Sequence, residues 1–428
     1  MIEDSGQRMH ALAEILYPLC RSITGEGLRE SLRVISDKIP IDIKSVPSGT
    51  RVFDWQVPQE WKVREAWIRD SIGNDVVNFR DHNLHLVSYS RPVQKRMSLA
   101  ELLPHLHANP KMPDAIPYRT GYYNDDWGFC LSQNALDQLG DGDYDVCVDT
   151  DLFHGELNYG ELLIPGICDE EVLISCHCCH PSMANDNLSG MVLATELATR
   201  LMEQPLRYSY RFLFVPGTIG SIAWLASNES LIPRIACGLV LACVGDPGAL
   251  TYKRTKRKNS LIDRAVESVF RNSCPDANIR DFMPYGYDER QYGSPGINLA
   301  IGCLSRSAYG TFPEYHTSAD DLSFITAEAL QDTLEKLERI LFIVDQNTRH
   351  LNLKPMAEPM LGKYGLYEIT GGAKSDVFDE LALLWVLGFS DGSNDLLAIS
   401  EISGIDFKVI LEATQKLTEV GLLEELKE

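Results

Sequence analysis

Three residues that bind metals well lie close together in one stretch of the chain. His177 and His180 fall in Cys176-His177-Cys178-Cys179-His180-Pro181, and Asp186 follows in Asn185-Asp186-Asn187-Leu188-Ser189-Gly190. Imidazole nitrogen and carboxylate oxygen are ligands of catalytic zinc, which keeps a position open for water. An aspartate just ahead of a helix also has a common structural job, capping the first turn. Both readings of Asp186 stand at this point. A second stretch, Phe312-Pro313-Glu314-Tyr315-His316-Thr317, places His316 in a polar loop before another helical pattern. It is either a hydrogen-bonded loop histidine or a third ligand. A third stretch, Tyr287-Asp288-Glu289-Arg290-Gln291-Tyr292, combines charge with aromatic rings. Arg290 has the fork geometry to clamp a substrate carboxylate. Glu289 and Tyr292 are candidate substrate contacts beside it, and a structural ion pair is the alternative. The Cys-His-Cys-Cys-His run has no second spaced pair downstream, which argues against a structural zinc finger.

These loops must be held by elements whose signals surround them. Residues 162–350 alternate between short apolar runs (172–176, 210–215, 238–244, 297–301) and amphipathic helical patterns (188–202, 219–227, 261–271, 327–346). Such alternation predicts a mostly parallel mixed sheet with helices on both faces, with ligands at the carboxyl ends of the strands. Residues 5–38 read as two helices, the first ending near Pro18. Residues 42–160 lose helical periodicity. They carry β-type runs at 50–55, 83–89 and 144–149 and four of the six tryptophans. The expected organisation is an α/β domain from 1–41 and 161–352, an inserted β-rich domain at 42–160, and a winged helix-turn-helix at 355–428.

Composition narrows the function classes. The net charge of −22 disfavours nucleic acid and anionic membranes as partners. The C-terminal segment repeats that balance, with 5 Lys+Arg against 14 Asp+Glu from 355 to 428, so its winged helix lacks a basic footprint. One basic run, Lys253-Arg254-Thr255-Lys256-Arg257-Lys258, is either a solvated loop or a local anion site. Eleven cysteines without framework spacing, and no signal sequence, point to a reducing cytoplasm.

The pairing of Asn185-Asp186-Asn187-Leu188-Ser189-Gly190 with Tyr315-His316-Thr317-Ser318-Ala319-Asp320 resembles the zinc aminopeptidase family that includes bacterial leucyl aminopeptidases and glutamate carboxypeptidases. The whole chain further resembles aminopeptidase-like proteins with an inserted β-rich domain and a C-terminal winged helix. Arg21-Ser22-Ile23-Thr24-Gly25, Val52-Phe53-Asp54-Trp55, Pro216-Gly217-Thr218-Ile219-Gly220-Ser221, Cys243-Val244-Gly245-Asp246 and Asp288–Tyr292 carry that likeness. The resemblance implies that Asp186 and His316 bind zinc. It also implies adjacent glutamates where this chain has Pro216-Gly217-Thr218, and an aspartate where it has Cys243.

With those acids missing, one zinc ion on His180, Asp186 and His316 is expected rather than two, with His177 the alternate ligand. Asp246 or Glu314 is the expected replacement base, within about 3 Å of the attacking water or one further water away. The implied activity is metal-dependent hydrolysis of a peptide or aminoacyl-amide-like substrate by a metal-activated water, in a homo-oligomer. The alternative is a catalytically altered protein of this fold that binds a small ligand or serves as an assembly subunit.

Overall fold

The computed structural model describes residues 4–366 and 377–426. The chain divides into two compact units, one from residues 1–260 and 276–335, the other from 261–275 and 336–428.

The first unit is built on an eight-stranded mixed sheet. Its strands run in the order Asp42–Pro47, Glu156–Ile164, Ser209–Val215, Glu171–His177, Ile235–Leu241, Ile301–Ser305, Thr251–Lys253 and Asn278–Arg280. The four central strands are mutually parallel, and antiparallel pairs flank them on both sides. Glu171–His177 and Ser209–Val215 are buried at every position. Burial throughout explains their near-continuous apolar sequences. The charged exceptions pair with each other: Arg211 donates to Glu171 at 2.6 Å and also reaches Glu161. Gly238 is required where neighbouring strands crowd, because a Cβ there would lie 2.1 Å from the Leu173 carbonyl oxygen.

Helices Ser189–Leu201 and Ile219–Ser227 pack on this sheet. Helix Glu26–Ser36 buries Leu28, Leu32 and Ile35 at helical spacing. The stretch 42–160 gives its two ends to the large sheet and forms a four-stranded antiparallel sheet between them. The order there is Asp75–Asn78, Glu60–Arg69, Asp143–Phe153, Val93–Ser98. Trp61 is buried beneath it, stacked on Tyr89, and donates its indole N–H to the Ser90 carbonyl at 3.1 Å. One apolar core runs from Ile68 and Val148 of the small sheet to Leu173 and Leu213 of the large one.

Three sequence expectations shift. The run at 50–55 is a short hairpin, Arg51–Val52 paired antiparallel with Trp55–Gln56. Within 83–89, expected as a strand, Asn83–His85 form a 3₁₀ turn, and Leu86 and Ser88 make isolated β-bridges to Phe129 and Thr120. The His82 imidazole starts that turn by accepting the Leu84 N–H at 3.1 Å. The strand expected at 297–301 begins where that run ends, as Ile301–Ser305.

The second unit is a winged helix. Helices Val377–Phe389, Leu396–Ser403 and Phe407–Glu419 accompany a three-stranded antiparallel sheet with Arg349–Asn352 between Asp391–Asp395 and Leu423–Glu425. Asp395 and Asp406 cap the second and third helices through Ala398 and Lys408 N–H groups. Gly404 takes the left-handed conformation that ends the second helix. Among the described residues, no helix is long and apolar enough to cross a membrane.

Candidate metal centre

His177 is the last residue of a central strand, at the carboxyl end of the parallel sheet. The chain then turns through Cys178, whose N–H donates to the Val215 carbonyl, and delivers Asp186 just before helix Ser189–Leu201. The Asp320 carboxylate fixes this approach. It accepts the Asn185 N–H at 2.6 Å and the Asp186 N–H at 2.9 Å. Asn187 serves the helix start, accepting the Gly190 N–H at 3.2 Å. The Asp186 carboxyl is thereby left to point elsewhere.

It points at histidines. Oδ1 of Asp186 lies 2.8 Å from Nε2 of His177, and Oδ2 lies 2.9 Å from Nε2 of His316. The first contact is a hydrogen bond. In the second the atoms are close but misaligned, so Oδ2 of Asp186 and Nε2 of His316 are both buried without a hydrogen-bond partner. Donor atoms of His177, His180 and Asp186 all lie within 4.8 Å of one another. The His180 ring stands 4.9 Å from that of His177 and 5.2 Å from that of His316. Three imidazoles thus surround one fully buried carboxylate.

Burial pushes the Asp186 carboxyl up, but the His180 ring beside it and the hydrogen bond from His177 outweigh that and hold the group well below its ordinary value. Burial drives His180 well below the ordinary histidine range, keeping its ring neutral and able to offer a lone pair. Two orphaned, convergent ligand atoms, Oδ2 of Asp186 and Nε2 of His316, beside the neutral His180 ring fit a zinc-type ion.

The rings are held by aromatic neighbours. Tyr287 stacks on His177 at 4.9 Å, and Tyr315 stacks on His316 at 4.0 Å. His316 has φ +56°, an uncommon backbone state for this residue. Tyr118 N–H pins it by donating to the His316 carbonyl at 2.8 Å.

A cavity of about 160 Å³ opens on the cluster. His177, His180 and His316 line it with Gly217, Asp288 and Arg290. Nε of Arg290 is buried without a partner. Asp288 is wholly buried. Its Oδ1 accepts the Ser221 hydroxyl at 2.7 Å, and its Oδ2 has no partner. Burial raises this carboxyl to about 6, against the lowering charge of His177.

The sequence candidates divide accordingly. His177, His180, Asp186 and His316 come together, and Arg290 faces the same cavity. Glu289 is buried in an ion pair with Lys253, whose ammonium also donates to the Tyr285 carbonyl at 2.9 Å. Tyr292 is buried with its hydroxyl 2.9 Å from that of Ser175. Asp246 spends both oxygens on Asn185, Gly248 and Ser307. Glu314 is not among the cavity-lining residues; its carbonyl accepts the Thr317 N–H. The basic run is largely paired: beyond Lys253, Arg254 and Lys258 reach Asp281.

Sequence reasoning passed over Asp288, Asp320, Tyr287 and Tyr118 as site residues. The only signal for Asp288 was its place beside Glu289 and Arg290, which does not say which acid turns toward the cavity.

Residues 10–347 match the model of a domain of unknown function, DUF4910, and residues 348–425 match a winged helix-turn-helix model. A Clostridium acetobutylicum protein is 48% identical over 420 residues, covering 98% of this chain and 96% of its own. It is named a candidate polysaccharide biosynthesis protein with aminopeptidase-like domain. A crystal structure of a candidate peptidase from the same organism superposes with TM-score 0.93 at 47% identity, covering 98% of this chain and 96% of that one. BSAP, a zinc aminopeptidase from Bacillus subtilis, superposes with TM-score 0.60 at 14% identity over 79% of this chain and 94% of its own, which shows a shared fold.

Proposed function

The chain belongs to the DUF4910 family, and from that premise we propose that it is a metal-dependent hydrolase acting on a peptide or amide-like bond. One observation carries the proposal. The buried Asp186 carboxylate sits among His177, His180 and His316, with two orphaned donor atoms converging under a cavity.

His177, His180, Asp186 and His316 would hold one zinc ion. When bound, that ion supplies Lewis acidity, polarising the scissile carbonyl and acidifying water. The protein's own residues do the rest. Asp320 and Asp246 hold the Asn185-Asp186 loop in place. Arg290 offers its guanidinium to a substrate carboxylate, and the rings of Tyr287, Tyr309 and Tyr315 wall the cavity. All eleven cysteines are unpaired, which supports a reducing, cytoplasmic setting.

The test is direct. Purified protein is assayed for zinc by elemental analysis and for turnover on aminoacyl amides and short peptides. The Clostridium relative's name includes polysaccharide biosynthesis, so amide-bearing sugars join the panel. One zinc per chain and turnover abolished by His316→Ala support the proposal. Metal-free protein, with activity indifferent to that substitution, overturns it.

A second reading keeps the fold without the chemistry. Gly217-Thr218 at the cavity wall supplies no acid, and the winged helix gives the chain a second surface for assembly. Tight binding of an amide ligand without turnover would favour it.

A further inference from the structure

Amide hydrolysis needs a group that takes a proton from the attacking water and gives it to the leaving nitrogen. Among the described residues lining the cavity, few can. His177, His180 and His316 are the proposed metal ligands, and Nε2 of His177 is already hydrogen-bonded to Asp186. Tyr287 and Tyr315 offer phenols, which are ordinarily neutral near pH 7 and poor proton acceptors. Arg290 is a permanent cation. Asp288 is the one carboxylate among the lining residues.

Its geometry suits the task. Ser221, in the first turn of helix Ile219–Ser227, fixes Oδ1 at 2.7 Å and so sets the plane of the carboxyl. Oδ2 is a buried acceptor with no donor, a costly arrangement unless something that enters the cavity satisfies it. Gly217 provides the room. A Cβ at Gly217 would stand 3.0 Å from Cβ of His177 and 3.5 Å from Oδ2 of Asp288. A longer side chain there would press into the carboxyl. Asp288 thus occupies the wall that Gly217 leaves free, next to a metal-binding histidine. It also lies outside the tight group of donor atoms formed by His177, His180 and Asp186, which suits a proton carrier better than a ligand.

We infer that Asp288 is the general base of this site, taking the proton of the attacking water on Oδ2 and passing it to the leaving amine. The inference rests on the hydrolase reading above. In the step, a C–O bond forms to the carbonyl carbon as a water O–H bond breaks, and that proton moves to Asp288. The C–N bond then breaks as the same proton joins nitrogen. The products are a carboxylic acid and an amine, and Asp288 returns to its carboxylate form.

The experiment uses full-length protein loaded with Co²⁺ as wild type, Asp288→Asn, Asp288→Glu and Ser221→Ala. Cobalt stoichiometry, the pH titration of the visible spectrum from about pH 5 to 9, and turnover on the amide panel are measured together. Asp288→Asn is expected to keep one cobalt with affinity within about threefold. Its spectral midpoint should move by about one pH unit or more, and its turnover should fall about 10²–10⁴-fold. Asp288→Glu should recover turnover to within about tenfold of wild type. Ser221→Ala, which leaves the carboxyl in place, should move the midpoint in a folded protein even if Asp288→Asn folds poorly. If cobalt binds to wild type but the midpoint is the same in all four proteins, the inference alone fails. It also fails if Asp288→Asn folds but loses its cobalt, which would make Asp288 a ligand. If wild type takes up no cobalt, the hydrolase reading fails and the inference goes with it.

Discussion

Asp186 and His316 approach to 2.9 Å through Oδ2 and Nε2, yet neither atom makes a hydrogen bond. Burying two polar atoms without partners costs free energy that a native fold seldom spends without a return. A bound cation would satisfy both. On the one-zinc proposal, Asp186→Asn and His316→Ala should each lower occupancy from one ion per chain to below about a tenth, since losing one of few ligands removes much of the binding free energy. Elemental analysis after dialysis checks this. Full occupancy in either variant would show that the ion sits elsewhere.

The loop behind the ligands has its own anchor. Asp320 accepts the backbone N–H groups of Asn185 and Asp186, one on each oxygen. Asp320→Asn replaces one acceptor with a donor facing an N–H. Metal affinity should drop about 10–100-fold, the usual effect of disturbing groups that orient ligands. Stability should fall by about 1–3 kcal/mol. Competition with a chelator and urea melts give the two values. An unchanged affinity would mean that the loop holds its shape without Asp320.

How much of this was legible in the sequence depends on the range of the interactions. His177, His180 and Asp186 stand in one strand-to-helix loop, and His316 in a second polar loop, so residue type and flanking pattern were enough to single them out. Helices such as Ile219–Ser227 and Ala327–Gln346 followed from local apolar spacing. Residues 83–89 misled because Leu84 and Leu86 alternate with polar neighbours and Val87 and Tyr89 favour strands, whereas the His82 imidazole captures the Leu84 N–H and turns the chain. Asp288 was hidden for another reason. What singles it out is burial, the hydroxyl of Ser221 and the space at Gly217, and none of these is near it in sequence. Glu289, its neighbour and a substrate-contact candidate in the sequence, is instead ion-paired with Lys253.

Arg290 should discriminate between substrates. Its Nε is buried, unpartnered and beside the cavity. Arg290→Ala should raise KM for substrates bearing a free carboxylate by about 10–100-fold, the value of a charge-assisted hydrogen bond, with little change in kcat. Arg290→Lys should recover only part, because an ammonium lacks the planar fork. Steady-state kinetics on matched substrates with and without the carboxylate make the comparison. Equal losses on both substrates would assign Arg290 to structure.

The second unit carries a separable stability determinant. Arg264 donates to Asp395 at 2.8 and 2.9 Å and to Glu401 at 2.9 Å. Burial works against the cation, but the two carboxylates hold it above its ordinary value. Arg264→Ala leaves both acids without their cation and should cost about 3 kcal/mol. Hydrogen exchange confined to residues 336–426 should reveal the loss, while zinc content stays at the wild-type value. A fall in zinc content would contradict an independent role for this network.

The Asp288 carboxyl also ties the stability of the fold to pH. Burial raises the Asp288 carboxyl from 3.8 to about 6, so the folded state favours the protonated form. Its stabilising contribution is therefore complete below about pH 4 and is lost as pH rises through about 6. The loss amounts to about 3 kcal/mol for a shift of this size. Asp320, pushed up to about 7 by burial, acts in the same direction. His180, held low by burial, acts in the opposite one, since its neutral form favours folding above about pH 6.5. The raw stability profile of metal-free protein mixes these slopes. The difference between wild type and Asp288→Asn isolates one of them, because the amide does not titrate. That difference should favour wild type most at about pH 4 and decline steadily to about pH 7. Urea melts at half-unit intervals measure it, and a flat difference would mean that Asp288 is no harder to ionise in the folded chain than in the unfolded one.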